Sequence, residues 1–146
     1  MPIRRCLALS LLLVAPLAAQ QPEEKVLERY RQVLVANPTE GIAFDRLWKH
    51  YAEKGQTNQL IEEYRAGGTF ANEMILGHLL RRTGKDDDAR AAYERAAKLD
   101  AVSPLPPLAL GTLAAAAGKP RESAGWFEKA VPLLAQTDPR LREVLL

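Results

Sequence analysis

Cysteine and histidine are scarce in this chain of 146 residues, and their scarcity excludes most metal chemistry. Cys6 is the only cysteine, so no disulfide can form within the chain, and His50 and His78 are the only histidines. Neither histidine has a second one at helical spacing, whereas a zinc site takes three or four ligands from Cys, His and acidic residues. We therefore expect no metal ion.

Motifs that carry catalysis or hold a cofactor are also lacking. No serine lies in a nucleophile-elbow sequence, and no glycine-rich phosphate loop is present. The acidic run at residues 86–88 lacks the alternating ligands, the glycine and the terminal glutamate of a calcium loop, and it suits the first turn of a helix. The sequence predicts a protein that is not an enzyme and needs no cofactor.

Excess charge is lacking once the N-terminal segment is set aside. The chain carries 20 basic and 18 acidic residues, and Arg4 and Arg5 are the only charged residues before residue 21. The remaining residues are therefore balanced in charge. Nucleic-acid binding needs concentrated positive charge that displaces counterions from phosphates, so we expect no nucleic-acid partner.

Residues 1–20 have the plan of a secretory signal peptide. A basic start at Arg4 and Arg5 precedes an apolar run at residues 7–15, and small residues follow at 16–20. An uncleaved membrane anchor is the alternative. A membrane-spanning helix needs about 20 apolar residues, however, which is more than this run supplies. Cleavage after Ala19 and after Gln20 fit equally well. Cys6 precedes the apolar run, whereas a lipid-modified cysteine would follow it, so we expect a soluble protein exported to the periplasm or the extracellular space.

From residue 21 onward, apolar residues recur at three- and four-residue spacings with short turns between them, which is typical of helices. No segment shows the two-residue alternation of a strand. The pattern predicts an all-α domain over residues 21–138. Its predicted helices lie within residues 23–38, 41–53, 58–66, 71–82, 86–99, 108–117 and 120–135, and residues 139–146 begin a further one.

Two segments of this domain repeat each other at a fixed offset, which equals the spacing between Gly84 and Gly118. The residues Leu76, Gly77, Leu79, Gly84, Lys85, Ala89, Tyr93, Glu94, Arg95 and Ala96 fall on Leu110, Gly111, Leu113, Gly118, Lys119, Ser123, Phe127, Glu128, Lys129 and Ala130. We expect the repeated glycines to let two helices approach and the repeated aromatic residues to fill the gap between hairpins. A fixed period of this size is typical of a solenoid of helical hairpins.

These residues resemble the tetratricopeptide repeat (TPR) family, and the leader resembles that of its exported bacterial members. The family repeats a helix–turn–helix of about 34 residues with favoured small and aromatic positions. The residues that carry the resemblance are Phe44, Leu47, Trp48, Tyr51, Leu60 and Tyr64, then Leu76, Gly77, Leu80, Ala89, Tyr93 and Ala96, then Leu110, Gly111, Ala114, Ser123, Phe127 and Ala130.

The resemblance implies a right-handed α-solenoid with a leading helix at residues 23–38 and about three hairpins at residues 41–68, 70–103 and 104–138. Two features depart from the family pattern. The hairpin at 41–68 is shortened in its second helix, and Trp48 replaces the usual small residue. A related type of helical-hairpin solenoid is therefore the alternative.

The resemblance also implies a concave groove, lined by the first helix of each hairpin, that receives a peptide or a partner's helix. The groove positions fall on Asp45, Lys49, Met74, His78, Arg81, Leu108 and Thr112. These residues do not reproduce the Lys and Asn clamp of chaperone-binding members. We expect a groove that is cationic around Lys49, His78 and Arg81 with an apolar floor at Met74 and Leu108. Such a groove suits a segment that carries an acid beside an apolar anchor.

The sequence thus predicts an exported, non-enzymatic protein-interaction scaffold. The alternatives are a solvated charged face without a partner, a structural segment of a longer repeat protein, and an accessory subunit of an envelope enzyme or secretion complex. Leu141, Val144, Leu145 and Leu146 favour a longer array or self-association through this end, because they begin an apolar helix without a polar cap.

Overall fold

The computed structural model describes residues 20–137, with the side chains of 23–134 and 136. Over this part of the chain the protein is all-helical, with seven α-helices and no strand. The helices are α1 (Gln20–Ala36), α2 (Ile42–Glu53), α3 (Thr57–Arg65), α4 (Phe70–Arg82), α5 (Asp86–Leu99), α6 (Leu105–Ala116) and α7 (Pro120–Thr137). The predicted all-α class is confirmed. Residues 1–19 of the predicted signal peptide and the predicted helix at 139–146 lie outside the described residues.

Helix α6 begins three residues earlier than predicted, at Leu105 rather than at residue 108. Pro106 and Pro107 interrupt the sequence pattern, but they lie in the first turn of the helix. Proline is tolerated there because the first backbone N–H groups of a helix have no partner within it. Helix α7 likewise continues through Pro132 to Thr137, beyond the predicted end at residue 135.

Gly84 and Gly118 end α4 and α6 in the same way. Both adopt a positive φ, 74° and 69° respectively, which glycine reaches without steric cost. At the first turn, Gly84 N–H donates to the Arg81 carbonyl and Lys85 N–H donates to the Leu80 carbonyl. The second turn makes the corresponding bonds at residues 118 and 119. This double bond pattern is a Schellman cap, so the repeated Gly-Lys pair sets two equivalent helix ends.

Helix α4 lies at the centre of the described fold and packs against α1, α3, α5 and α6. Nine of its 13 residues are buried, and they include Met74 and His78. Apolar side chains lie on nearly every side of this helix, the pattern expected of a helix enclosed all round. The face of α4 that the sequence assigned to an open groove is therefore mostly covered.

Helices α4 and α5 form a close antiparallel pair around Gly77. Arg95, near the end of α5, lies 2.9 Å from the Glu73 carboxylate in the first turn of α4, which sets the antiparallel direction. The ring of Tyr93 lies so close to Gly77 that any Cβ at that position would overlap it. Gly77 thus lies where two helices come close, as predicted, but the Tyr93 ring packs within this helix pair rather than in the predicted gap between hairpins.

Helices α6 and α7 repeat this contact. A Cβ built on Gly111 would lie 2.7 Å from Cε1 of Phe127. The buried hydroxyl of Ser123 adds a bond of 2.8 Å to the Gly111 carbonyl. By contrast, the nine-residue helix α3 packs more extensively against α4 than against α2.

None of the helices within residues 20–137 combines the length and the hydropathy required to cross a bilayer.

Candidate functional site

A small cavity lies where the loop between α1 and α2 meets α4, α5 and α6. It encloses about 110 Å³ and is lined by Glu40, His78, Arg81, Tyr93, Ala109 and Thr112. We call it the Arg81 cavity. His78, Arg81 and Thr112 were all predicted from the sequence as groove residues, and the fold brings these three together.

Arg81 is held in this cavity by an ion pair with Glu40 of the α1–α2 loop. Nη2 of Arg81 donates to Oε2 of Glu40 over 2.5 Å, and both side chains are about 30% exposed, at 31% and 29%. The bond to Glu40 raises the pKa of Arg81, against the opposing effect of burial. The guanidinium is therefore charged, and a carboxylate of the same chain already balances that charge.

His78 links the loop, α4 and α5 through both of its ring nitrogens. Nε2 lies 3.2 Å from the carbonyl oxygen of Pro38, and Nδ1 lies 2.9 Å from the Tyr93 hydroxyl. Because a carbonyl oxygen can only accept, Nε2 carries the proton and Nδ1 accepts the O–H of Tyr93. In the neutral ring, these two bonds select the Nε2–H tautomer.

Burial lowers the pKa of His78 below its ordinary value of 6.5, and it does so against the nearby Glu40 carboxylate. Arg81 and Arg82 lower it further because a second positive charge is unfavourable beside them. Neutral imidazole is therefore the form present at neutral pH. His78 itself therefore adds no positive charge to the cavity at that pH, and the cationic group there is Arg81.

Tyr93 supplies a hydroxyl at the same point. Its ring is fully buried, and burial raises the pKa of its phenol far above the usual 10. The hydroxyl consequently stays protonated and acts as a donor to His78. One residue thus performs two tasks, since its ring also packs on Gly77.

The contact between His78 and Tyr93 is not repeated in the following hairpin, although both positions recur one repeat later. Thr112 stands at the position of His78, and Phe127 stands at that of Tyr93. The Thr112 hydroxyl bonds instead to the Leu108 carbonyl of its own helix, at 2.9 Å. Close packing on glycine requires a ring in both hairpins but no imidazole or phenol. The polar contact is therefore additional to what repeat packing needs.

The size and lining of the Arg81 cavity limit what it can accept. Its volume, about 110 Å³, corresponds to about three or four water molecules at roughly 30 Å³ each. Cofactors and drug-sized ligands need pockets of about 300 to 1,000 Å³. The guanidinium of Arg81 is the charged donor at this space, whereas the Tyr93 and Thr112 hydroxyls already donate to His78 and to the Leu108 carbonyl. A carboxylate is the group that a guanidinium binds best.

Lys49 and Asp45 lie outside this cavity. Lys49 lines a separate depression of about 270 Å³ between α1 and α2, and its Nζ is 3.7 Å from Glu53. Asp45 accepts a bond of 2.7 Å from Arg82, whose guanidinium also lies over the Phe44 ring. The single cationic surface predicted around Lys49, His78 and Arg81 is thus divided between two places.

Met74 does not form part of the apolar groove floor that the sequence predicts. The side chain is 1% exposed and belongs to the core, because α4 is enclosed by its neighbours, so a partner cannot reach it. Leu108, on α6, is half-buried and remains accessible. Ala109 of α6 is the aliphatic residue among the described lining of the Arg81 cavity, and Leu108 precedes it on that helix.

A larger depression of about 700 Å³ lies elsewhere, along α1. Its described lining residues are Glu24, Lys25, Glu28, Arg29 and Gln32. All five come from one helix, and four of them carry charges of both signs, so these described residues have the character of a solvated face.

Sequence reasoning missed Glu40 and assigned Tyr93 to packing alone. Glu40 follows Asn37-Pro38 in a loop, and its partner Arg81 is 41 residues away, so no local pattern links them. The only available signal for Tyr93 was its difference from Phe127 at the matching repeat position.

The described part of the chain contains no group of three or more His, Cys, Asp or Glu residues placed to hold a metal ion. No model of a known protein family matches the chain. No curated protein matches its sequence either.

Proposed function

We propose that this chain is an exported, non-enzymatic interaction scaffold with TPR-like hairpins arranged as a right-handed α-solenoid. Its partner is a protein segment that carries an acidic side chain beside an apolar residue. The observation that carries the proposal is the convergence of Arg81, His78, Tyr93 and Thr112 on one small cavity with room for a carboxylate.

The chemistry of the cavity supports an acidic partner. Arg81 offers a planar fork that pairs with carboxylates, and one carboxylate, that of Glu40, already uses it. The Thr112 hydroxyl is exposed at the rim. Leu108 and Ala109 supply an apolar surface next to it on α6, where a neighbouring aliphatic side chain of the partner can pack.

Three features support a binding role over catalysis. The cavity is too small for a cofactor. Arg81 and Glu40 are paired with each other, and His78 is held neutral between two fixed partners. None of these groups is left as a free nucleophile or a free general base within hydrogen-bond reach of an open space.

Selection from a random peptide library displayed on phage tests this proposal. Residues 21–146 serve as bait, and Arg81→Glu serves as a parallel bait with the charge reversed. We expect wild type to enrich peptides with Asp or Glu next to Leu, Ile or Val, and Arg81→Glu to lose them. Arg65→Glu is the matched control, since Arg65 pairs with Glu62 within α3 and contributes nothing to the cavity. Equal enrichment on all three baits would contradict the proposal.

One observation favours a second role, as a segment that stacks against a further repeat or a second copy. Phe127 occupies the position of Tyr93 in the repeat, yet it is 38% exposed whereas Tyr93 is fully buried. Val131, one turn later, is also exposed. Light scattering after size-exclusion chromatography tests this role, with Phe127→Glu expected to abolish any self-association.

A further inference from the structure

We infer that Glu40 is an internal substitute for the partner's carboxylate, so that binding exchanges one carboxylate for another on Arg81. This inference rests on the proposed function and specifies how the same site is regulated. In the free chain, Glu40 holds the guanidinium that a partner needs, and the site is self-inhibited.

The charges of the cavity require this exchange. Arg81 is the one cation among the described lining residues, and Glu40 is the one anion. Since His78 is neutral at neutral pH, the pair leaves the cavity without net charge. A second carboxylate entering beside an intact pair would meet Glu40 as a like charge, so it gains Arg81 only when Glu40 leaves.

The loop is built so that Glu40 can leave while its backbone stays in place. Pro38 is buried, and its carbonyl accepts the bond from His78, which anchors the loop on α4. Glu40 lies two residues further on, and its side chain is partly exposed to solvent. Rotation about its side-chain bonds therefore releases Arg81 without breaking the anchor at Pro38.

The ion pair between Arg81 and Glu40 is strong enough to compete with a partner's carboxylate but weak enough to be displaced by it. Ion pairs near a protein surface contribute little to stability, because water screens both charges. A partner that must displace such a pair binds with an affinity reduced by the fraction of chains in which Arg81 is free. Removing the Glu40 charge should therefore raise affinity, which is the opposite of what loss of a binding residue would do.

The test uses the dipeptide acetyl-Glu-Leu-amide as probe and acetyl-Gln-Leu-amide as its uncharged control. Binding is followed by NMR shifts of the Arg81 side chain and of the α6 backbone. Glu40→Gln keeps the shape of the side chain and removes its charge. Glu63→Gln is the matched control, because it removes the same charge from the ion pair with Arg31, away from the cavity.

We expect Glu40→Gln to bind acetyl-Glu-Leu-amide about threefold to fivefold more tightly than wild type. Glu63→Gln should match wild type, and Arg81→Gln should bind more weakly than either. Unchanged or weaker binding by Glu40→Gln, with Arg81→Gln still impaired, would overturn the inference and leave the proposed function standing. If no variant, Glu40→Gln included, distinguishes the acidic probe from the uncharged one, the proposed function fails together with the inference. Thermal unfolding of each variant establishes that it is folded.

Discussion

The hydroxyl of Tyr93 lies 2.9 Å from Nδ1 of His78, although the two residues belong to different helices. The Tyr93 ring at the same time fills the space that Gly77 leaves open. A position that repeat packing would fill with any aromatic ring thus also fixes the tautomer of a buried imidazole. Tyr93 therefore contributes both to the packing of α4 against α5 and to the candidate site.

Tyr93→Phe tests the polar half of that role. It keeps the ring on Gly77 but leaves the buried Nδ1 of His78 without its donor, which should lower the free energy of unfolding by about 1 to 3 kcal/mol. Tyr64→Phe is the matched control, because the buried Tyr64 hydroxyl has no hydrogen-bond partner among the described residues. Its removal should change stability by less than about 0.5 kcal/mol or increase it. Urea denaturation measures both, and equal losses would contradict the assignment.

Gly77→Ala and Gly111→Ala test the packing half. Both add a methyl group against a ring, and overpacking costs about 1 to 3 kcal/mol. We expect Gly77→Ala to cost more, because Tyr93 is fully buried and held by its hydroxyl, whereas Phe127 is partly exposed and can yield.

Gly125→Ala, within α7, is the control for this pair. A Cβ at Gly125 would meet no heavy atom within 4 Å. Replacing a helical glycine by alanine in open space should stabilise the protein by about 0.5 to 1 kcal/mol. A loss of stability on Gly125→Ala, or a gain on Gly77→Ala, would show that the helix contacts are not as described.

The stability of the fold should decrease as pH falls below the ordinary histidine pKa of 6.5. Burial lowers the pKa of His78 in the folded chain, so below 6.5 the unfolded chain binds more protons than the folded one. The contribution of neutral His78 is complete above 6.5 and is lost as pH falls toward the depressed folded value. The charged and titratable groups around His78 are Glu40, Arg81, Arg82 and Tyr93.

Urea midpoints at about pH 7.5 and about pH 5.5 measure this effect. His78→Gln should have a smaller difference between the two midpoints than wild type. Glu122 does not confound the comparison, because Arg90 lowers the pKa of its carboxyl below the usual 4.5, so its contribution is lost only at lower pH. An identical pH difference in wild type and His78→Gln would rule out His78 as the titrating group.

The helices could be predicted because the signals that set them are local. Apolar spacing, the Gly-Lys turns and the fixed repeat offset placed most helix ends within one or two residues of those observed. The start of α6 was misplaced because two prolines look like a break in sequence but are compatible with a first helical turn.

The candidate site could be predicted only in part, because it depends on contacts between distant segments. The family resemblance implies groove positions at His78, Arg81 and Thr112, and these three residues do converge. Met74 was misassigned because a groove position was carried over to a helix that is enclosed here, although the apolar residues on nearly all sides of α4 indicate such burial. No sequence pattern identifies Glu40, because this loop carboxylate comes close to Arg81 only when the chain folds.

The central claim is that Arg81 receives a partner's carboxylate, and isothermal titration tests it most directly. The titrant is the acidic peptide most enriched on the wild-type bait, and the proteins are wild type, Arg81→Glu and Arg65→Glu. Reversing a charge that pairs directly with the ligand should weaken binding at least about tenfold, or about 1.4 kcal/mol. Arg65→Glu should bind as wild type does. An unchanged affinity of Arg81→Glu, with the protein folded, would contradict the account.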